Sequence, residues 1–268
     1  MPQTHDHDLS ERDVEALTFI GRSFEAAQYQ LHAAVFAGNA PTVVSRFTRR
    51  AYEANAISIH RHDVLSGNRL RLTSTGLDLL ERFQPGIVDD VFVPRRPVAL
   101  KDLEHTTFIN DICVALGPLG PTDLHPAWLL QRRFGRDATV IPDVLAIWPP
   151  GRQTDPLVVA CEVDLGCEPL QRVFLPKLYR LGEIVNSSAT RALIAVFTRG
   201  RRRRLMIEQA VRPADVFHIL ELPTTRGGDS IRWFSSAFRE GIAPLLYAGT
   251  SPSTEVLEIN ANETRQGV

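Results

Sequence analysis

The chain has few cysteines, no long apolar run and almost no net charge, and each absence narrows what it can be. Three cysteines stand in 268 residues (Cys113, Cys161 and Cys167), an odd number with no Cys-x-x-Cys spacing. That pattern argues against a disulfide framework and fits a reducing, cytoplasmic setting. Cys113 and Cys161 sit in apolar runs and read as small buried hydrophobes. No stretch reaches the roughly 18 apolar residues of a membrane span. The opening MPQTHDHDLSERD is too polar for a secretory signal. A net charge of −1 excludes a protein that coats nucleic acid over its whole surface, though not a local basic face. Internal repeats, low-complexity tracts, a Gly-rich phosphate loop, a Gly-x-Ser-x-Gly elbow and a Cys–His nucleophile pair are also missing.

What is present is the composition of a globular protein, 44% hydrophobic and 23% charged, long enough for one large domain or two ordinary ones. The charge is segregated. Residues 1–41 carry six acids and two arginines, whereas residues 42–82 carry seven arginines and four acids. Ser10 with Asp13 three residues on predicts a capped helix through ERDVEALTFIGRSF. A second helix is expected at about 26–37, and a third over APTVVSRFTRRAYEANA. Two short strands around Ser-Gly-Asn and a closing helix, TSTGLDLLERF, follow.

This order of elements is that of a winged helix-turn-helix over residues 9–84, whose third helix enters the DNA major groove. Arg46, Arg49 and Arg50 would face the groove, with Thr42, Ser45 and Thr48 available for phosphates or base edges. His60, Arg61, His62, Asn68 and Arg69 would decorate the wing. The expected partner is double-stranded DNA, and the architecture leaves room for a homodimer on paired half-sites. Two plainer readings stand beside this one: an exposed helix face that is simply charged, and a winged helix that contacts protein.

Residues 85–102 read as a proline-rich linker with a short strand near 91–93, and residues 249–268 as a polar, flexible tail. Between them, residues 103–248 alternate helix and strand, which predicts a mixed α/β sheet covered by helices, α+β overall. A helix over 103–117 is followed by extended chain around HPAWLLQRRF. Strands are expected at 139–148, 157–165, 191–198 and within DVFHILEL, with helices at about 168–187 and 201–211.

Two of these apolar strands contain carboxylates, which are expensive to bury unless paired, hydrogen-bonded or bound to a cation. Alternation puts Asp143 on a face with Ile141 and Leu145, and Glu162 and Asp164 on a face with Val158 and Ala160. Pairing of the strands would let all three carboxylates converge as a site for Mg²⁺ or Mn²⁺. On the following helix Leu170, Phe174, Leu181 and Ile184 form an inward stripe with Lys177 in its middle. Lys177 either meets the carboxylates or reaches solvent along its stem. TRGRRRRLMIEQ reads equally as a phosphate contact, through residues such as Arg201 and Arg202, or as a solvated helical turn. The histidines of HDHD at 5–8 and of HRH at 60–62 read as incidental.

Asp143 after a proline, Glu162 two residues before Asp164, and a sheet flanked by helices resemble the PD-(D/E)XK nuclease superfamily. Asp164 stands where that pattern has a lysine, so the resemblance implies that Lys177 has taken over the role from the next helix. It also implies Asp143 and Glu162 as catalytic and metal-binding residues and an auxiliary acid at Glu104 or Asp111. More of the chain, through LSERDVEAL, HTTFINDICVAL, IPDVLAIW and EVDLGCEPLQRVFLPKLYRL, is similar to the replication-relaxation family. His105 lies in one of these segments. That resemblance implies a DNA-associated role in plasmid or mobile-element replication, mobilisation or their regulation. The expectation is therefore a DNA-binding protein with a nuclease-like domain. An active metal-dependent endonuclease is the alternative, and a protein-interaction adaptor a weaker one.

Overall fold

The computed structural model describes residues 9–61, 67–96, 98–135, 140–149, 155–187, 191–211, 216–225, 227–242 and 244. His62, the His-Asp repeat at 5–8 and the segment 249–268 lie outside the described residues.

Helix α1 (Glu11–Arg22) starts at the cap expected from the sequence. Ser10 Oγ accepts the Asp13 N–H at 3.2 Å, and the Asp13 carboxylate accepts the Ser10 N–H at 3.2 Å. A two-residue strand β1 (Ala26–Ala27) precedes α2 (Gln28–Val35), so the helix expected at about 26–37 is present but shorter, its first two residues being a strand. After α3 (Pro41–Glu53) come β2 (Ile57–Arg61), β3 (Asn68–Leu72) and α4 (Ser74–Phe83). The three strands form an antiparallel sheet in the order β1-β3-β2. Leu70 and Leu72 point into a core with Leu17, Ile20, Leu31, Phe47 and Leu80. Alternation therefore sends Arg69 and Arg71 to the opposite face. Gly76 lets α4 close on this core, because a Cβ there would stand 2.1 Å from the Ala56 carbonyl oxygen.

The segment expected to be a linker carries a short 3₁₀ turn at Ile87–Asp89 and a buried Val91 but no strand among its described residues, and helix α5 (Leu100–Leu116) begins within it. Strand β4 (Asp123–Pro126) leads directly into α6 (Ala127–Phe134), where extended chain was expected. Strands β5 (Val144–Trp148), β6 (Leu157–Asp164), β7 (Arg191–Thr198) and β8 (Phe217–Glu221) complete a five-stranded sheet in the order β4-β5-β6-β7-β8. The β4–β5 and β5–β6 pairs are antiparallel, and β6–β7 and β7–β8 are parallel. Between β6 and β7 run a π-helical turn (Leu170–Phe174) and α7 (Leu175–Ser187). Pro176 thus falls in the first turn of α7, where its missing N–H costs little. Helices α8 (Arg201–Ala210) and α9 (Gly228–Gly241) follow β7 and β8.

The fold is mixed α/β, with each face of the larger sheet covered. Leu157, Val159, Cys161 and Val163 of β6 pack toward α5 and α9, where Phe108, Ile112, Phe234 and Phe238 lie. Ala160 packs toward Leu170, Phe174, Leu178 and Leu181 of the π turn and α7, and Ile207 of α8. Ile184, expected on that inward stripe, is instead exposed.

Candidate functional site

The last residues of β6 place Glu162 and Asp164 on the α7/α8 side of the sheet, where both are buried. Asp143 stands one residue before β5, and the pairing of Val144 with Cys161 brings it next to Glu162. Its Oδ2 accepts the Val163 N–H at 2.8 Å. His105, in the second turn of α5, meets the same Oδ2 at 3.1 Å and the Val163 carbonyl oxygen at 3.2 Å through Nε2. Two acceptors on one ring nitrogen make Nε2 the protonated one.

Lys177 reaches in from α7, with its Nζ 2.5 Å from Glu162 Oε2. The expected contact between the inward lysine and the carboxylates is present, so Lys177 does not run out along its stem. Glu162 Oε1 is buried without a hydrogen-bond partner, and Asp143 Oδ1 makes no hydrogen bond among the described residues.

Asp164 is a different case. Arg203 of α8 grips it with two guanidinium nitrogens, the Nη2 at 2.9 Å from Oδ1. Thr198 Oγ1 donates to Oδ2 at 2.8 Å, and the Gly166 N–H donates to Oδ1 at 2.9 Å. The expected convergence of three carboxylates on one ion is therefore corrected. Asp164 is saturated by its own partners, and among the described residues no three His, Cys, Asp or Glu side chains are grouped to hold a metal. The residues do fit a smaller role. Mg²⁺ is commonly held by one or two carboxylates with water and phosphate completing its shell. Asp143 Oδ1 and the orphaned Glu162 Oε1 are the two oxygens free for that.

The electrostatics divide the two neighbouring carboxyls. Burial and the charge on Asp143 push Glu162 well above the usual carboxylate range, against the pull of Lys177. Burial alone would raise Asp143 too. The hydrogen bond from His105 and the charge of Lys177 win there and bring it below its ordinary value. For Lys177, burial opposes the charge, but Glu162 and Asp143 outweigh it and the ammonium is retained. The same contest at His105, burial against the bond and charge of Asp143, ends with its pKa raised above 6.5. The pocket is thus an ionised aspartate between a histidine N–H and a lysine ammonium, beside a glutamate that gains from a proton or a metal ion.

Of the auxiliary residues, Glu104 pairs with Arg199 at 2.7 Å, and Arg201 and Arg202 are exposed in the first turn of α8. Asp111 is not in this site. It is buried against α2 and α9, where Tyr29, Gln30 and Ser230 contact it. An open cleft of 470 Å³ between α1, α2 and α5 holds none of the predicted site residues.

The expected DNA-contacting residues separate into two groups. Ser45, Arg46, Arg49 and Arg50 on α3 and Arg61 at the end of β2 are exposed. Arg49 pairs with Glu53 at 2.8 Å and Arg50 with Asp13 at 2.8 Å, whereas Arg46 makes no ion pair among the described residues. Arg69 was expected on the wing surface but is only 2% exposed, because β3 is the central strand and its outer face is turned inward. Thr48 is buried as well, accepting from Gln28 Nε2 at 3.3 Å.

The chain matches no protein-family model, and neither a curated protein nor a solved structure gives a significant match. No helix among the described residues is long and apolar enough to cross a membrane.

Sequence reasoning missed Arg203 as the partner of Asp164. In a run of four arginines at the start of a helix, helical spacing turns some side chains back toward the sheet. The preceding strand ends beside β6, which makes Asp164 the carboxylate within reach.

Proposed function

We propose that the chain is a DNA-binding protein with a nuclease-like second unit, its N-terminal part acting as a winged helix-turn-helix. The observation that carries this reading is the arrangement around α3. A three-strand sheet of order β1-β3-β2 and helices α1 and α2 support α3, whose Thr42, Ser45, Arg46 and Arg49 remain exposed. Such a surface suits phosphate contacts, which supply most sequence-independent affinity for DNA. The resemblance to replication-relaxation proteins adds plasmid or mobile-element replication, mobilisation or their regulation as the setting.

A second reading, metal-dependent cleavage of DNA, is favoured by the orphaned Glu162 Oε1 beside Asp143 and Lys177. A divalent cation bound there would neutralise phosphate charge and acidify a bound water. The protein's own part is positional. His105 fixes one oxygen of Asp143 and leaves the other to a ligand, and Lys177 holds a positive charge where a phosphate would arrive.

Incubation of plasmid and linear DNA with Mg²⁺ or Mn²⁺, with binding followed in the same samples, tests both readings. Binding with cutting that disappears in Asp143→Ala and Lys177→Ala supports cleavage. Binding without cutting supports the DNA-bound platform. Absence of binding at low salt sinks both.

A further inference from the structure

One buried carboxylate joins the N-terminal part of the chain to the larger sheet. Asp111, 1% exposed on α5, is contacted from two other elements and lies in the field of a charge on a third. From α2, Tyr29 donates its hydroxyl to Oδ1 at 2.9 Å and Gln30 donates its amide to the same oxygen at 2.7 Å. From α9, Ser230 Oγ meets Oδ2. From β3, the buried Arg69 brings a positive charge whose Nε and Nη1 find no partner.

Counting protons around Ser230 shows what the arrangement requires. Its hydroxyl carries one hydrogen but faces two acceptors, Asp111 Oδ2 and the Gly227 carbonyl oxygen at 2.7 Å. With Asp111 ionised, one of the two contacts has no proton in it. A proton on Oδ2 completes the chain, Asp111 donating to Ser230 Oγ and Ser230 donating to Gly227. Oδ1 then still accepts from Tyr29 and Gln30 as a carbonyl oxygen.

We propose that Asp111 is a proton-dependent latch: the docked seam between α2 and the α5/α9 pair holds a proton on Asp111, and the seam loosens as that proton leaves. Burial, the largest influence, raises Asp111 from 3.8 to about 6, against Gln30, Tyr29 and Arg69, which favour the charged form. Tyr29 and Arg69 are the titratable or charged groups facing it from α2 and β3. On α9 the nearby Asp229 and Arg232 pair with each other. Glu25 reaches the seam through the field it exerts on Arg69. Tyr29 is held above its ordinary value and stays protonated. An opened seam returns Asp111 to water and to its ordinary value, so protonation favours the closed form. Six residues before Asp111, the same helix carries His105 against Asp143. The latch therefore sets how firmly α3 is held relative to the carboxylate site, whatever that site binds.

Hydrogen exchange of α2 in the full chain, corrected for the intrinsic pH dependence of amide exchange, reads the seam directly. With values of 3.8 and about 6 in the open and closed seam, its opening equilibrium rises about tenfold from about pH 5 to about pH 7.5. Asp111→Asn keeps the shape without the titration and is expected to flatten this rise. Ser230→Ala removes the acceptor of the Asp111 proton and is expected to move the rise to lower pH. Protection of α2 that does not change with pH in the parent overturns the proposal, as does a full rise in Asp111→Asn. If Asp111→Asn does not fold, an unshifted rise in Ser230→Ala overturns it equally.

Discussion

At Asp143 the problem of a carboxylate at the edge of an apolar strand is answered by its neighbours, His105 among them. The strand end would otherwise bury an unpaired charge, which is costly in a medium of low dielectric. Here Asp143 receives a backbone N–H, a histidine N–H and the field of a lysine. The pH dependence follows with a definite sign. Asp143 is held below its ordinary value, so its contribution to stability is present above the unfolded carboxylate pKa and is lost as the pH falls through the folded one. His105 is held above 6.5, so its contribution is complete below 6.5 and is lost as the pH rises through the folded value. His105→Gln should therefore remove the part of the stability loss seen on moving above pH 6.5. Urea unfolding of parent and variant across that range checks this, and parallel curves would speak against it. Much of this site was legible in the sequence. Polar residues inside apolar runs marked Asp143, Glu162 and Asp164, and a lysine on an apolar helical stripe marked Lys177. The partners of Asp164 were not, because Arg203 and Thr198 reach it across the β6–β7 pairing, which no local pattern encodes.

Among the elements, those governed by local chemistry were the easiest to read. Ser10 with Asp13 announced α1, and the apolar run at 191–198 matches β7 residue for residue. Strand β1 was hidden because two alanines carry no strand signal of their own and pair only once β3 is in place. That same pairing makes β3 central and buries Arg69, which a free hairpin would have left in solvent. Helix α9 went unread although Ile231, Phe234 and Phe238 recur at helical spacing. Gly76 gives the sharpest test at this scale. Its φ is unremarkable, so the demand for glycine is one of space, set by the Ala56 carbonyl and the Leu72 side chain. Gly76→Ala is expected to cost at least about 1–3 kcal/mol, the range typical of overpacking. Thermal or urea unfolding measures it, and a variant as stable as the parent would show that α4 is not packed this closely.

Across the whole molecule, the near-zero net charge conceals a division of labour. Acids and arginines are consumed in pairs such as Arg50–Asp13, Arg203–Asp164 and Arg199–Glu104, which position elements. Arg46 and Arg61 are left with no ion pair among the described residues, while Arg49 is exposed beside Glu53. We propose that α3 presents Arg46 and Arg49 to a DNA backbone. Fluorescence anisotropy of a labelled duplex over a series of salt concentrations tests it most directly, with parent and Arg46→Ala/Arg49→Ala compared. If both arginines meet phosphates, the slope of log affinity against log salt falls by about 2 in the double variant, since each phosphate contact contributes about 0.9. Affinity should fall with it across unrelated sequences. Equal affinities and equal slopes for the two proteins would contradict the account.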